Sequence, residues 1–478
     1  MRPLWNHQIR ALRMAEDRDN LGLLMEQGTG KTRTCIEILR RKFAKNGRVL
    51  RTIIFAPIVV CENWKREFAL YSKVNPNDIV VLNQTGAKRV REFIKWAGDD
   101  LSRNKIFITN YHSTGISELY SLFLKYNFEV IVCDESQKVK NPSGIMAKAV
   151  AVLADMTKYN FILSGTPILN SPMDIFMQYR ILDKGATFGK NFFSFRHAYC
   201  IDKNAARANT QGYFPKWEVR EEMFQILHAK IQASSLRVLK SECLDLPPLV
   251  RQEIEVELNA QQKRMYSEMK KEYLAFVDDL EKTDKPRAVT AQIAATKALR
   301  LQQIVSGYAQ TENDGVIPIK DVPRLSALGE LLEELTPQHK VIVWAVFKEN
   351  YKMIGELCDK LGIKWTELTG ENSARRKEEN MQTFRTDPKC RVIIANPGAG
   401  GVGISLVEAS YAIYYSKGFS LEADLQSEAR NHRGGSEIHE KITRIDLVAR
   451  ETIDELVNEA LAKKQNVSEQ ILTWKGKL

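Results

Sequence analysis

At 478 residues the chain is long enough for two or three domains, each with a core of its own. Its 44% hydrophobic content is that of a globular protein, no apolar run reaches the ~20 residues of a bilayer-spanning helix, and the polar start "MRPLWNHQIRALRM" lacks the apolar centre of a secretory signal. A net charge of +11 is spread along the chain and suits a polyanionic partner, although charge alone does not separate nucleic acid from general basicity. Cys35, Cys61, Cys133, Cys200, Cys243, Cys358 and Cys390 form no CxxC pair. They read as reduced core residues of a cytosol-type compartment, with no zinc site or disulfide framework.

In chain order, short β-branched runs alternate with amphipathic helical stretches, the pattern of a parallel α/β sheet. The first set of strand candidates is 21–25, 51–57, 78–82, 105–109, 129–133 and 160–164. Residues 184–336 follow, charged and helix-patterned, as in "AQQKRMYSEMKKEYLAFVDDLEK". A second set lies at 340–346, 364–368, 391–395, 411–415 and 442–448. The expected organisation is an α/β chain with a first sheet lobe (1–183), a helical insert and linker (184–336), a second sheet lobe (337–450) and a C-terminal closing helix (451–478). The shared strand–helix rhythm of the lobes hints at a pseudo-repeat of one fold.

Several strand ends carry chemistry. "LLMEQGTGKT" (23–32) follows the first strand and opens a helix. Gly28 and Gly30, flanking Thr29, let the backbone wrap a phosphate, Lys31 offers a point charge to the β- and γ-phosphates, and Thr32 offers a hydroxyl to Mg²⁺. The strict phosphate-loop pattern has Gly where Met25 stands. "EVIVCDESQ" (129–137) ends an apolar strand in two carboxylates, at the edge where open α/β sheets bind ligands. Asp134 suits Mg²⁺, and Glu135 suits orienting and deprotonating an attacking water. "LSGTP" (163–167) closes a further strand. "QSEARNHRGG" (426–435) puts Gln426, Arg430 and Arg433 at the spacing of one helical face; by itself this is as readily a solvated basic face.

Taken in order, these segments resemble the superfamily 2 helicase-like motors, and among them the Swi/Snf-type ATPases. "LWNHQIRALRMA" (4–15) looks like the opening adenine-reading segment, with Gln8 as the implied adenine contact. "IIFAPIVVCENWKREF" (53–68) carries the typical Pro57 and Trp64, and "FITNYHS" (107–113) resembles the next DNA-side motif. The middle segment 236–266, with its Leu-Pro-Pro and Gln–Tyr landmarks, is similar to the part that sets Swi/Snf-type proteins apart. "LTGENSARRKEENMQTF", "IIANPGAGGVGISLVEA" and "ADLQSEARNHRGG" follow in the family's order. Departures are Gln137 for the usual His, Pro397 and Gly398 for Thr and Arg, Phe419 for Trp, and "HRGGS" for "HRIGQ". None removes a catalytic group.

The resemblance implies two RecA-like lobes and a DNA-stimulated ATPase that uses ATP and Mg²⁺. Lys31, Asp134 and Glu135 would act from lobe one, with Arg430 and Arg433 reaching across the cleft. Gln426 would join the nucleotide contacts. The implied DNA-side residues are Lys65, Arg66, Asn110 and Tyr111 on lobe one, and Gly400 and Gly401 on lobe two. Lys65 and Arg66 equally suit a solvated surface, as do Lys263, Lys270 and Lys271 in the insert. The expected activity is translocation on double-stranded or branched DNA by a monomer. Strand separation, branch migration and a non-hydrolysing nucleotide-dependent scaffold are the alternatives. The missing reader appendages resemble bacterial or bacteriophage-encoded members, which implies a cytoplasmic protein; a eukaryotic one would be nuclear.

Overall fold

The computed structural model describes residues 3–169, 171–205, 215, 217–243, 246–280, 287–310, 315–398 and 404–472. Its strands, in chain order, begin with β1 (Asn20–Met25), β2 (Thr52–Phe55), β3 (Ile79–Leu82), β4 (Ile106–Thr109), β5 (Val130–Asp134) and β6 (Tyr159–Leu163). Then come β7 (Cys200–Asp202), β8 (Trp217–Val219), β9 (Ser235–Val238), β10 (Leu249–Val256), β11 (Tyr308–Gln310) and β12 (Val316–Pro318). The last five are β13 (Val341–Trp344), β14 (Lys364–Leu368), β15 (Cys390–Ala395), β16 (Tyr411–Tyr414) and β17 (Ile442–Ala449).

The first sheet has seven parallel strands in the order β3-β4-β2-β5-β6-β1-β9. The second has six, also parallel, in the order β10-β17-β16-β13-β15-β14. Helices cover both faces, so central strands such as β2 and β13 are almost wholly apolar, whereas β17 carries Arg444 and Asp446. Ile53 and Phe55 of β2 enter one core, and Ile54 enters the other. In β13, Val341 and Val343 face one side and Ile342 and Trp344 the other. Six of the seven cysteines are buried in these layers. Among the described residues no helix is long and apolar enough to cross a membrane.

The expected strand-poor insert at 184–336 is corrected in two places. β9 lies beside β1 and completes the first sheet, and β10 pairs with β17 along its whole length in the second. The lobes therefore meet across the short span 239–248, inside the segment read as insert. Both strands are sheet edges. β10, "LVRQEIEV", exposes Arg251, Gln252, Glu253 and Glu255, so it lacks the apolar run that marks a central strand. The long helices Ala260–Leu280 and Arg287–Ser306 and the small hairpin of β11 and β12 follow it. The closing helix spans Ile453–Leu472.

Candidate nucleotide site between the lobes

Strands β5, β6 and β1 are neighbours, so their C-terminal ends bring Asp134, Ser164 and the loop after Met25 to one edge. Gly28 and Gly30 adopt φ of 86° and 82°, which a side chain disfavours. Both are also crowded: a Cβ at Gly30 would stand 2.5 Å from Gln8 Nε2, and one at Gly28 would stand 3.2 Å from Arg433 Cβ. Gln8 is buried, accepts from Trp5 N at 3.0 Å and donates to the Gly30 carbonyl at 3.4 Å. His7 Nε2 lies 2.8 Å from the Thr29 carbonyl. The opening segment thus braces the phosphate loop. Lys31 starts the helix Lys31–Lys45 and donates to the carbonyls of Met25 at 2.8 Å and Glu26 at 3.2 Å. Burial lowers its pKa, opposed by the charges of Glu135 and Asp134. Thr32, half-buried, follows in the first turn.

Asp134 is held on all sides. Its Oδ2 accepts from Trp64 Nε1 at 2.8 Å, its Oδ1 from Glu135 N at 3.0 Å, and its carbonyl from the Tyr111 hydroxyl at 2.8 Å. Burial, and then the charge of Glu135, push its carboxyl up. Glu135 sits at φ 49°, a left-handed conformation that costs a non-glycine residue on the order of 1–3 kcal/mol and clusters at functional sites. Gln137 donates to Glu135 Oε2 and accepts from Ser164 Oγ at 2.7 Å. The amide in place of the family's His therefore still links the carboxylate turn to the β6 end.

From the second lobe, Arg430 and Arg433 both donate to the Ile404 carbonyl, at 3.3 and 3.1 Å. Arg430 is buried; desolvation, and then Arg433, lower its pKa to about 10 against the attraction of Glu135. Burial likewise lowers that of Arg433, opposed by Glu67 of lobe one. The single helical face expected for Gln426, Arg430 and Arg433 is corrected. The helix Leu421–Glu428 stops before both arginines. They lie on turns pinned by tertiary bonds: Leu406 N donates to the Arg430 carbonyl, and Asn431 Nδ2 donates to that of Ala409. Gln426 is buried and donates to Glu422 at 3.2 Å.

The DNA-side residues divide. Lys65 and Arg66 are exposed on the helix Cys61–Tyr71. Asn110 and Tyr111 are not available as surface contacts, which corrects that expectation. Asn110 is 6% exposed and accepts from Arg89, while Tyr111 is 4% exposed, stacks on Phe55 at 5.5 Å and spends its hydroxyl on Asp134. Gly400 and Gly401 lie outside the described residues. Lys263, Lys270 and Lys271 are exposed, Lys263 beside Glu257 at 3.3 Å.

Sequence reasoning missed several residues. Trp64 stood out only as a landmark, because its partner Asp134 is 70 positions away. Arg237 at the β9 end donates to the carbonyls of Leu24 and Gly165, both at 3.1 Å. Lys240 donates across the lobes to the His432 carbonyl at 3.1 Å. These two and Glu26, Glu428 and His432 line an inter-lobe cavity of about 460 Å³. The "LRVLK" run (236–240) held a signal: one cation on a short strand and a second just past its end.

The family model for the SNF2-related domain matches residues 7–306, and that for the helicase conserved C-terminal domain matches 323–435. An uncharacterized ATP-dependent helicase of Mycoplasma pneumoniae is 26% identical over 472 residues, covering 97% of this chain and 41% of that protein. The TATA-binding protein-associated factor MOT1 of Saccharomyces cerevisiae is 24% identical over 468 residues, covering 89% and 24%. The chain thus spans about two fifths, or less, of the length of these relatives. Among solved structures, the SWI2/SNF2 ATPase core of Sulfolobus solfataricus in complex with dsDNA is 20% identical, covers 99% of this chain and 94% of that one, and superposes with a TM-score of 0.42. With a SNF2-related match over well more than half of its residues and a helicase C-terminal match behind it, the chain belongs to the SNF2-related family.

Proposed function

We propose that ATP is hydrolysed in the cleft between the lobes and that the cycle moves the protein along double-stranded or branched DNA. The observation that carries this reading is the contact of Arg433 with the phosphate loop. It sets the Cβ of a second-lobe arginine against Gly28, and the charge of that arginine acts on Lys31, which also feels Glu135 and Asp134. Gly28, Thr29, Gly30 and Lys31 would bind the phosphates, and Gln8 the adenine. Glu135 would take the proton of the attacking water, and Arg430 and Arg433 would meet the charge that builds on the transferring phosphoryl group.

The Thr32 hydroxyl and the Asp134 carboxylate are hard oxygen donors of the kind that hold Mg²⁺ together with a nucleotide's phosphates. Bound there, the ion would neutralise charge on the β- and γ-phosphates. Trp64 and the Glu135 amide fix the orientation of the Asp134 carboxylate. DNA as the track is supported by family membership, by the net charge of +11 and by the exposed Lys65 and Arg66. Contacts to phosphates rather than bases suit a motor that crosses any sequence.

The test is ATPase activity titrated with single-stranded, duplex and branched DNA, beside strand displacement on simple forks. Duplex or branched DNA should stimulate hydrolysis without broad unwinding, and strong unwinding of plain duplex would refute translocation without strand separation. Glu135→Gln should bind ATP and fail to turn it over; hydrolysis at the wild-type rate would remove Glu135 as the base.

A further inference from the structure

Gln137 has two N–H donors and one carbonyl, and all three are used. The carbonyl accepts from Ser164, and the Nε2 group donates to Glu135 and, at 3.4 Å, to Glu422 Oε1. Glu422 belongs to the other lobe, in the first turn of the helix Leu421–Glu428. The same carboxylate oxygen takes Lys138 Nζ at 3.0 Å and Gln426 Nε2 at 3.2 Å. Gln137 and Lys138 are adjacent on the short 3-10 helix Ser136–Val139 that follows Glu135. One second-lobe oxygen therefore gathers two donors from the carboxylate turn of lobe one and one from its own helix.

Gln137 is 2% exposed with the second lobe in place, and Glu422 is one of the groups against it. When the lobes part, its second N–H loses the Glu422 oxygen, and the amide that also holds Glu135 is freed to turn. We propose that Glu422 is a positioning residue: it catches Gln137 and Lys138 only when the lobes are closed, and so makes the orientation of Glu135 depend on closure. An imidazole at position 137 has two ring nitrogens and can meet at most two of these three partners. The amide and Glu422 thus act as a pair. A purely structural role for Glu422 rests on its place near a helix N-terminus, where a carboxylate is favourable; that role carries no link to Gln137.

The inference rests on Glu135 as the base, and the experiment separates the two. Steady-state hydrolysis is measured for wild type, Glu422→Ala, Glu422→Gln, Gln137→His, the double variant Glu422→Ala with Gln137→His, and Glu135→Gln, each with and without saturating duplex DNA. Glu422→Ala should lower kcat about tenfold and leave the nucleotide KM within about twofold. Glu422→Gln, which keeps an acceptor oxygen, should recover most of the loss. With His at 137, Glu422→Ala should cost no more than about threefold, because the paired partner is gone. An unchanged kcat in Glu422→Ala, or the same fold-loss with Gln and with His at 137, overturns the proposal. A Glu135→Gln variant that hydrolyses at the wild-type rate overturns the base assignment instead, whatever Glu422 does.

Discussion

Trp64→Phe keeps a ring in the core and deletes one N–H. Trp64 is fully buried, and its Nε1 is one of two donors to the Asp134 side chain, itself 4% exposed. Removing a hydrogen bond to a buried charged group costs about 1.5–3 kcal/mol, because water cannot replace the donor. The missing five-membered ring adds roughly 1 kcal/mol for lost contacts and the space left behind. First-lobe stability should therefore fall by about 2.5–4 kcal/mol, read by urea denaturation with the slopes compared so that a change in the unfolded state is not mistaken for it. In an Asp134→Asn background the same substitution should cost less, since the acceptor is no longer a carboxylate; the difference isolates the Trp64–Asp134 interaction. A loss below about 1 kcal/mol, or an equal loss in both backgrounds, would refute the view that this indole holds the carboxylate.

Arg433→Ala should lower the maximal ATPase rate by roughly 10³-fold or more while changing nucleotide affinity little, as expected of a group that meets charge only in the transition state; intact DNA-stimulated hydrolysis would remove the cross-cleft role. Gly30→Ala combines a left-handed conformation with a Cβ 2.5 Å from Gln8 Nε2, and should weaken binding of a fluorescent nucleotide well beyond Gly47→Ala, which shares a positive φ of 68° but meets nothing within 4 Å. Lys240 gives a pH signature. Burial pushes its pKa down to about 8 against the opposing charges of Glu26 and Glu428. Below about pH 8 both folded and unfolded chains carry this proton, so the cost of burying the charge is fully present. Between about 8 and the ordinary value near 10.4 the folded chain loses the proton first and gains relative stability. The stability difference between wild type and Lys240→Met should shift in favour of wild type across that window, and parallel pH profiles would contradict it.

The central strands and the loops at their ends were legible because burial on both faces leaves an unbroken apolar run, and because a phosphate loop and a carboxylate pair are local patterns. Even there, the resemblance put Tyr111 among the DNA-side contacts, yet the ring stacks on Phe55 and the hydroxyl reaches the Asp134 carbonyl. β9 and β10 were hidden because edge strands are short or alternate with charges, and such runs gain their partners only when the sheet assembles.

What the sequence determined by itself was the order of the chemistry: Lys31 after the first strand, Asp134 and Glu135 after the fifth, and arginines near the end of the second lobe. Only the tertiary structure decided how these groups meet. It ended the helix at Glu428 so that Arg430 and Arg433 lie on turns held by the 404–409 segment, it set Arg433 against Gly28, and it joined Gln137 to Glu422 across the lobes. The last two join residues hundreds of positions apart, and all of them arise from close packing and from the need of buried polar groups for partners, which no local pattern records.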